Sequence, residues 1–401
     1  MARRAMRLAV AAAMVSAVCA SISRAEKPYA APICPHILGW PDDVKKWAEG
    51  APWIKALDIT SCAIAKERGA RVFYRVWDHA SGPDGDPKIG GKKFGQEILD
   101  RLKHLPKEKW PDAIGFQNEF NDVGPETARC FIDMYDTLRK GGYEGLIVFG
   151  SYGPGGPTDS KEWERPHVKE ACLKADAIET HEYWDLTVKH YDTWLAHRHV
   201  RAMNDYPWLR SKPWFIGEFG SDGVNKGEDP QKRSGWRDRE KLTADEYIKQ
   251  IEIYRYGDPK NEVVAAAENV MAVFLFQQGA PPHMWQGWET RGTKVMDYMK
   301  STWKPTHAFI TGKVTDSSGK PVADVQVAIS PSDKKATTDT KGVYWYFAVK
   351  PGEYTLKATK PGLKAASVKL SLKPGDILEA NLALKSPVRD PAKKNGSTRT
   401  E

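Results

Sequence analysis

Cysteine is scarce in this sequence, and the cysteines that occur are far apart. The 401 residues contain five, at positions 19, 34, 62, 130 and 172, without a Cys-x-x-Cys pair or a Cys/His set at ligand spacing. Structural zinc sites need such clustered ligands, so the sequence argues against a zinc-binding module. If the four cysteines beyond position 25 form disulfides, three pairings exist, and the sequence does not choose among them.

A long apolar run is also missing beyond the N-terminus. The first seven residues contain three arginines, Leu8–Ala20 is apolar, and cleavage after Ala25 or Ala20 fits the rule of small residues before the cut. Leu8–Ala20 is too short to span a bilayer comfortably, and no later stretch is long enough, so no transmembrane segment is predicted. We expect residues 1–25 to be a signal peptide and the mature protein to be secreted or periplasmic.

Positive charge is unevenly distributed along the chain. Lys and Arg number 60 against 52 Asp and Glu, and from Ala308 onward sixteen Lys and Arg stand against nine Asp and Glu. The basic excess therefore belongs to the C-terminal segment, where it is dispersed. The larger N-terminal part lacks the basic stripe of a nucleic-acid groove, so we predict no nucleic-acid partner.

Short apolar runs alternate with helical stretches from Ile33 to Trp303, and this order predicts an α/β fold, a (β/α)8 TIM barrel, over residues 26–304. Thr243 and Glu246 form a capping box at the start of one helix. A doubly wound sheet is the alternative, but it requires a glycine-rich loop after its first strand, and Gly39-Trp40-Pro41 is not one. The predicted strands are Ile33–Gly39, Trp53–Leu57, Arg71–Trp77, Ala113–Gln117, Leu146–Gly150, Ala177–Tyr183, Trp214–Phe219 and Met271–Phe276.

The pattern changes after Lys304-Pro305-Thr306, which is typical of a linker. Short alternating strands separated by glycine-containing turns follow, and they predict a small all-β sandwich domain. Thr311–Asp316, Gly319–Val322 and Pro351–Tyr354 resemble the carboxypeptidase-regulatory-like modules, over residues 308–385. The resemblance implies a spacer or structural appendage, with contact to the cell surface or matrix as one role. We expect the module to be dispensable for chemistry, because it contains no carboxylate candidate and follows a proline-containing linker. Residues 386–401 are rich in Pro, Lys, Ser and Thr and are predicted to be disordered.

Two predicted strands end on a glutamate. Strand four runs into Gln117-Asn118-Glu119, and strand seven runs into Ile216-Gly217-Glu218. Active sites of this barrel form at the carboxyl ends of the strands, so we expect both glutamates at the same mouth. Each glutamate could instead be an acid at a helix N-terminus or part of a loop ion pair.

These two segments resemble the clan A glycoside hydrolases, which carry an Asn-Glu pair after strand four and a nucleophilic Glu after strand seven. The resemblance implies that Glu119 is the acid/base, Glu218 the nucleophile and Asn118 the residue that holds the sugar 2-hydroxyl. The chemistry agrees, because glycosidic cleavage needs one protonated carboxyl to protonate the leaving oxygen and one carboxylate to attack the anomeric carbon. Two carboxyls close together separate their pKa values by repulsion and so supply both states.

Strand six supplies further candidates for the site. Alternation puts Glu179, His181 and Tyr183 on one face, and His181 and Tyr183 resemble the residues that hydrogen-bond the nucleophile in this clan. His181 could equally be a satisfied core residue, and Glu179 or Glu182 would be the substitute carboxylate if Glu119 were not the acid. Aromatic side chains at other strand ends could stack on sugar rings, although ordinary packing explains each of them as well. The remaining predicted substrate contacts are Trp40, Arg75, Trp77, Trp184, Gln277 and Trp285.

The sequence departs from this clan at two strand ends. Many members place an Arg after strand two, where this chain has Asp58, and a Trp after strand eight, where it has Phe276-Gln277. Two hypotheses therefore stay open: a retaining hydrolase of β-linked poly- or oligosaccharide, or an inactive carbohydrate-binding or matrix protein. Two converging glutamates favour the enzyme. No cofactor is predicted, and no metal, since strand one lacks the His pair of metal-dependent barrel hydrolases.

Overall fold

The computed structural model describes residues 28–76, 90–120, 122–184, 195–222 and 235–386. Within these ranges eight parallel strands pair in chain order and close into a barrel. The predicted (β/α)8 fold is therefore confirmed, and most strand ends differ by only a few residues from the predicted ones. The strands are β1 Ile33–Ile37, β2 Trp53–Ala56, β3 Arg71–Tyr74, β4 Ala113–Gly115, β5 Leu146–Tyr152, β6 Ala177–Trp184, β7 Trp214–Ser221 and β8 Val270–Gln278.

Helices follow the strands and cover the outside of the barrel. The capping box predicted from sequence is present, with the Glu246 carboxylate accepting from the Thr243 backbone N–H at 2.8 Å and the Thr243 hydroxyl accepting from the Glu246 N–H. The helices are α1 Asp42–Trp47, α2 Ile59–Glu67, α3 Gly91–Leu102, α4 Pro125–Lys140, α5 Pro166–Lys174, α6 Arg198–Asp205, α7 Gly235–Asp238, α8 Ala244–Tyr256 and α9 Lys294–Ser301.

The inside of the barrel changes from apolar to polar along the strands. At the amino-terminal end, Trp53, Phe73, Phe215 and Phe274 form a buried cluster. Further along the strands the interior carries ionisable side chains, of which Lys55 lies over the Phe73 ring, 5.5 Å from its centre. The apolar cluster is therefore a floor on which a buried polar network rests.

The C-terminal segment folds into two packed sheets, which confirms the predicted small all-β domain. One sheet has the order β11-β10-β13-β14 and the other the order β12-β9-β15, with β16 also pairing with β9. Most pairs are antiparallel, but β15 and β16 pair with β9 in parallel, which the sequence pattern did not indicate. The strands are β9 Ala308–Thr315, β10 Gln326–Ser330, β11 Lys335–Thr337, β12 Val343–Val349, β13 Gly352–Thr359, β14 Ala366–Leu372, β15 Ile377–Glu379 and β16 Leu382–Ala383.

The all-β domain packs against the amino-terminal end of the barrel. Phe309 joins the apolar floor cluster, and Trp345 and Phe347 pack against it. Lys341 donates to the Tyr135 hydroxyl at 3.1 Å and to Asp176 at 3.3 Å. The segment predicted as a linker therefore leads into a domain that closes the end of the barrel opposite to the strand ends carrying the two glutamates.

Four of the cysteines lie in the described ranges, and all four are buried free thiols. Burial raises the pKa of each thiol, to about 12 for Cys130. None of the three disulfide pairings left open by the sequence is therefore formed. In the same ranges, no helix has the length and apolar content needed to cross a bilayer. The predicted signal peptide and nearly all of the predicted disordered tail lie outside the described residues.

Candidate active site

Glu119 and Glu218 meet at the carboxyl end of the barrel. Glu218 lies within β7, and Glu119 follows β4 in the loop that leads towards α4. One carboxylate oxygen of each glutamate and Nδ1 of His181 all lie within 4.8 Å of one another. The exposed fraction of the side chain is 37% for Glu119 and 10% for Glu218, so the two carboxyls share one site but differ in their access to solvent.

Cationic and hydroxyl donors surround Glu218. Arg75 Nη2 donates to its Oε1 at 3.1 Å, Tyr183 donates to its Oε2 at 3.0 Å, and Lys55 Nζ lies 3.7 Å from its Oε1. Burial alone would raise the pKa of Glu218, but the positive charges of His181, Lys55 and Arg75 outweigh burial and hold the pKa far below its ordinary value. Glu218 is therefore a carboxylate over the whole physiological pH range.

Glu119 has a different environment. Its Oε1 lies 2.9 Å from His181 Nδ1, and that is its one ion-pair contact within the part of the chain that the structure covers. Lys55 and Arg75, the Lys and Arg partners of Glu218, make no ion pair with Glu119 in the described ranges. The two carboxyls therefore share His181 and differ in their other charged neighbours.

His181 lies between three glutamates. Besides its contact with Glu119, its Nε2 lies 3.3 Å from Glu179 Oε1, and its Nδ1 lies 3.6 Å from Glu218 Oε2. The sequence predicted that His181 and Tyr183 contact the nucleophile candidate. Tyr183 does hydrogen-bond Glu218, whereas the hydrogen bonds of His181 go to Glu119 and Glu179.

Glu179 occupies the interior of the barrel below the two glutamates. It accepts hydrogen bonds from Lys55 Nζ at 3.1 Å and from Ser151 Oγ at 2.7 Å. Burial alone would raise its pKa, but Lys55 and His181 outweigh burial and lower the pKa to about 2. Glu179 is therefore ionised and lies beneath the site, which does not fit the role of a substitute acid.

Glu182 lies on the other face of β6, as strand alternation predicted. It is fully buried outside the barrel lumen, where it pairs with His199 at 2.8 Å and accepts from the Tyr254 hydroxyl at 2.6 Å. These partners satisfy its carboxylate away from the strand ends. Glu182 is therefore excluded as a substitute for Glu119.

Two of the predicted substrate contacts are corrected by the structure. Trp184 follows the alternation to the outer face of β6, where it is only 3% exposed and donates to Gln250 at 2.8 Å. Gln277 is also fully buried. Its side-chain amide donates to the Trp285 carbonyl and accepts from the Ala280 N–H. Trp184 is a core residue, and Gln277 holds the loop that follows β8.

Among the other predicted substrate contacts, three are half-buried or exposed and one lies outside the described residues. Trp40 and Trp285 are half-buried, and Trp285 packs edge-on against Phe276 with ring centres 5.7 Å apart. Asn118 is exposed immediately before Glu119. Trp77 lies outside the described residues. Trp40, Asn118 and Trp285 therefore remain candidates for sugar contacts.

Both departures from the clan pattern have counterparts in the structure. Asp58 caps α2 by accepting from the Ser61 N–H at 2.8 Å, and the Arg that contacts Glu218 comes from the end of β3 as Arg75. At β8, Trp288 packs edge-on against Phe276 with ring centres 5.6 Å apart, and both rings belong to one buried cluster with Tyr183.

Sequence reasoning missed Lys55, which is fully buried and contacts two of the glutamates. A signal for it existed, because alternation along β2 puts a lysine on the same face as Trp53. A charged residue at an interior position of an apolar strand needs a partner of opposite charge.

Glu119, His181 and Glu218 are of residue types that also bind metal ions, and their spacing would accept one. Lys55 and Arg75, however, already supply two positive charges beside Glu218. A divalent ion would be repelled by both, so the arrangement fits an acid–base cluster and not a metal centre.

Comparison with known proteins finds similarities for both parts of the chain. Residues 309–385 match the family model described as carboxypeptidase regulatory-like domain. β-Glucuronidase 2 of Bacteroides uniformis is 10% identical, with a TM-score of 0.44 over 89% of this chain and 46% of that chain. β-D-Glucuronidase of Dictyoglomus thermophilum is 15% identical, with a TM-score of 0.44 over 69% of this chain and 51% of that chain.

A β-mannanase of Alicyclobacillus acidocaldarius is 12% identical, with a TM-score of 0.43 over 68% of this chain and 97% of that chain. The chain thus spans about half the length of the two β-glucuronidases. The barrel is similar to the barrels of these glycoside hydrolases, and the C-terminal domain is similar to carboxypeptidase regulatory-like domains.

Proposed function

We propose that this chain is a retaining glycoside hydrolase in which Glu218 is the nucleophile and Glu119 the acid/base. The observation that carries the proposal is the short distance between the two carboxyls, with oxygens within 4.8 Å of each other. Inverting enzymes need about 6.5 Å or more between their carboxyls to admit a water molecule, whereas retaining enzymes have about 5–5.5 Å. The spacing favours direct attack by a carboxylate on the sugar.

The surroundings of each glutamate suit its proposed role. Arg75, Lys55 and Tyr183 keep Glu218 ionised and hold it in one orientation, which an attacking carboxylate requires. Glu119 is reachable from solvent and carries no Lys or Arg partner in the described ranges, which suits a group that gives and takes a proton.

The reaction then proceeds in two displacements. Glu218 attacks the anomeric carbon while Glu119 protonates the leaving oxygen, so a glycosyl ester forms on Glu218 and Glu119 becomes a carboxylate. Glu119 next removes a proton from water, the water oxygen attacks the anomeric carbon, and Glu218 leaves as a carboxylate. Two inversions return the product to the configuration of the substrate.

We further propose that the substrate is a β-linked poly- or oligosaccharide and that the protein acts after export. Half-buried aromatic rings near the barrel mouth, Trp40 and Trp285, support a sugar ligand. The basic, apolar N-terminal segment supports export. N-terminal sequencing of protein from its native host should begin near Ser21 or Glu26, and a start at Met1 or Ala2 would contradict export.

Hydrolysis assays on polysaccharides and aryl β-glycosides test the catalytic proposal. The native protein should release reducing ends, Glu218→Ala should lose turnover, and azide should restore some rate with product of inverted configuration. Glu119→Ala should slow substrates with poor leaving groups far more than activated aryl glycosides, because only the former need a proton in the first step. Tight sugar binding without turnover would instead support the inactive carbohydrate-binding alternative.

A further inference from the structure

Glu179 is a buried carboxylate that the two-step reaction does not use. Its side chain is fully buried, and it receives hydrogen bonds from Lys55 on β2 and Ser151 on β5, while His181 lies on its own strand. Removing a carboxylate from water costs free energy that a hydrophobic residue of similar size would not cost. The barrel therefore maintains this charge for a reason other than packing.

Neighbouring strands leave space for the Glu179 carboxylate. A Cβ added at Gly217 on β7 would lie 1.6 Å from Glu179 Oε1, and one added at Gly115 on β4 would lie 3.2 Å from its Oε2. Any larger residue at Gly217 would displace the carboxylate from Lys55 and from His181. The glycine one residue before Glu218 thus reserves the space that lets Glu179 reach the ring.

Hydrogen-bond chemistry fixes the roles of the two ring nitrogens of His181. An ionised carboxylate offers acceptors only, so Nε2 must donate its hydrogen to Glu179. Nδ1 faces Glu119 Oε1 at 2.9 Å, a distance that requires one hydrogen between the two atoms. That hydrogen belongs either to the ring or to the carboxyl.

We propose that Glu119 and His181 hold one common proton and that Glu179 is the positioning residue that keeps the other ring proton at Nε2. The inference rests on the function proposed above and adds to it the source of the acid proton. Without the Glu179 carboxylate the ring could carry its single hydrogen at Nδ1 and stabilise Glu119 as an anion, which cannot act as the acid.

The proton balance of the two displacements is consistent with this role. In the resting site the common proton lies between Nδ1 and Glu119, and it passes to the leaving oxygen when Glu218 attacks. A carboxylate oxygen of Glu119 then faces the lone pair on Nδ1, and their repulsion increases the affinity of the pair for a proton. In the second displacement Glu119 takes that proton from water, and the resting site is restored.

The charges around His181 set the pH at which the common proton is lost. The ring faces the carboxylates of Glu119, Glu179 and Glu218, and Lys55, Arg75, His36 and Tyr183 lie in the same network. Burial lowers the pKa of His181, but the carboxylates outweigh burial and Lys55, so the pKa lies above its ordinary value. Removing the charge of Glu179 disfavours the protonated ring and moves the loss of the common proton to lower pH.

NMR of the full-length protein labelled with ¹⁵N-histidine tests the inference without a substrate. The chain has 10 histidines, and a His181→Gln variant identifies the two His181 ring signals. We expect Nε2 to stay protonated across the titration while Nδ1 titrates. In Glu179→Gln the Nδ1 midpoint should fall by about one pH unit. Glu182→Gln is the matched control, because it removes the charge of an equally buried carboxylate–histidine pair on the other face of β6, and it should leave His181 unchanged.

Two results of the titration would overturn the inference: a ring that keeps its hydrogen on Nδ1, or a midpoint unchanged by Glu179→Gln. If Glu179→Gln does not fold, the ring signals of the unmodified protein still decide which nitrogen titrates. On any glycoside that the protein hydrolyses, the basic limb of the kcat/KM profile should move with the NMR midpoint. A midpoint that moves without that limb would show that catalysis does not use the common proton. If no glycoside is hydrolysed, the proposed function fails while the titration still decides whether the proton is shared.

Discussion

Glu119 and Glu218 are the same residue type, and their neighbours make them chemically different. Glu218 is held by Arg75 and Tyr183 with Lys55 close by, whereas Glu119 contacts the His181 ring and solvent. The positive charges of His181, Lys55 and Arg75 lower the pKa of Glu218, whereas Glu119 has neither Lys nor Arg as an ion-pair partner in the described ranges. Environment, and not residue type, therefore assigns the two proposed roles.

Arg75 should control the acid limb of the pH–activity profile. Arg75→Met removes a cation 3.1 Å from Glu218, so the pKa of Glu218 should rise and the acid limb of kcat/KM should move by about one to three units to higher pH. Profiles measured on one substrate for the native protein and the variant give the shift.

Arg75→Lys is the matched control. Because it keeps the positive charge, the acid limb of kcat/KM should shift much less than in Arg75→Met. Tyr183→Phe, which removes a hydrogen bond but no charge, should shift the limb less than Arg75→Met. An unchanged limb in a folded Arg75→Met protein would mean that Arg75 does not set the charge state of Glu218.

Single residues of the site were predictable where a short segment carried a strand-end pattern. The segments around Glu119 and Glu218 located the pair, and alternation along strand six located His181. Lys55 was missed because a lone lysine in a strand carries no sign of its distant partner. The prediction that Trp184 contacts the sugar is wrong, because alternation along β6 puts this residue on the outer face, where it is buried.

At the scale of elements, strand β6 carries two buried carboxylate–histidine pairs on opposite faces. Glu179 and His181 face the barrel interior, and Glu182 faces His199 under the helices. The interior pair contacts the site, whereas the outer pair hydrogen-bonds Thr180, Tyr254 and the Ala267 N–H. The same local chemistry thus serves the site on one face and the packing of the barrel on the other.

Glu182→Gln should lower stability without affecting the site. Burial raises the pKa of Glu182, but His199 and Tyr254 outweigh it and lower the pKa to about 2. Because the pKa of Glu182 is lower in the folded protein than in the unfolded chain, the ionised carboxylate stabilises the folded state at any pH above the unfolded-state pKa. This contribution is lost as the pH falls towards 2. Urea unfolding should show a loss of about 3 kcal/mol at neutral pH.

The same unfolding experiment in acid provides the check on that prediction. The difference between the native protein and Glu182→Gln should shrink as the pH falls below the ordinary glutamate pKa, since the native residue then begins to be protonated in the unfolded chain. A difference that is constant down to about pH 3 would show that the pKa of Glu182 is not lowered.

The sequence pattern predicted the barrel strands more reliably than the short helices. All eight barrel strands were predicted because each contains a short apolar or β-rich run. The helices α1, α6 and α7 have six, eight and four residues, which is too short for a 3.6-residue period to stand out in a sequence.

At the scale of the whole molecule, the C-terminal domain closes one end of the barrel and the candidate site opens at the other. Phe309, Trp345 and Phe347 cover the apolar floor, and Lys341 and Lys212 make polar contacts across the interface. The sequence identified the domain but not its docking, because the polar contacts of Lys341 and Lys212 join residues more than a hundred positions apart and no local pattern records them.

Removing the C-terminal domain should therefore destabilise the barrel. A chain ending at Thr306 exposes the apolar floor around Trp53 and Phe215, so its thermal midpoint should fall by several degrees and it should bind an apolar dye. Thermal unfolding followed by circular dichroism measures the change. A chain ending at Ser386 is the control and should unfold like the full chain, and an equal midpoint for both truncations would show that the domain does not stabilise the barrel.

Trapping of the covalent intermediate tests the central proposal most directly. Activated 2-deoxy-2-fluoro-β-glycosides of several sugars should leave one glycosyl unit on the native protein, and peptide mass spectrometry should locate it on Glu218. Glu218→Gln should remain unlabelled, and Glu119→Gln should still be labelled because an activated leaving group needs no acid. A label on any residue other than Glu218, or hydrolysis that inverts configuration without a label, would contradict the proposed mechanism.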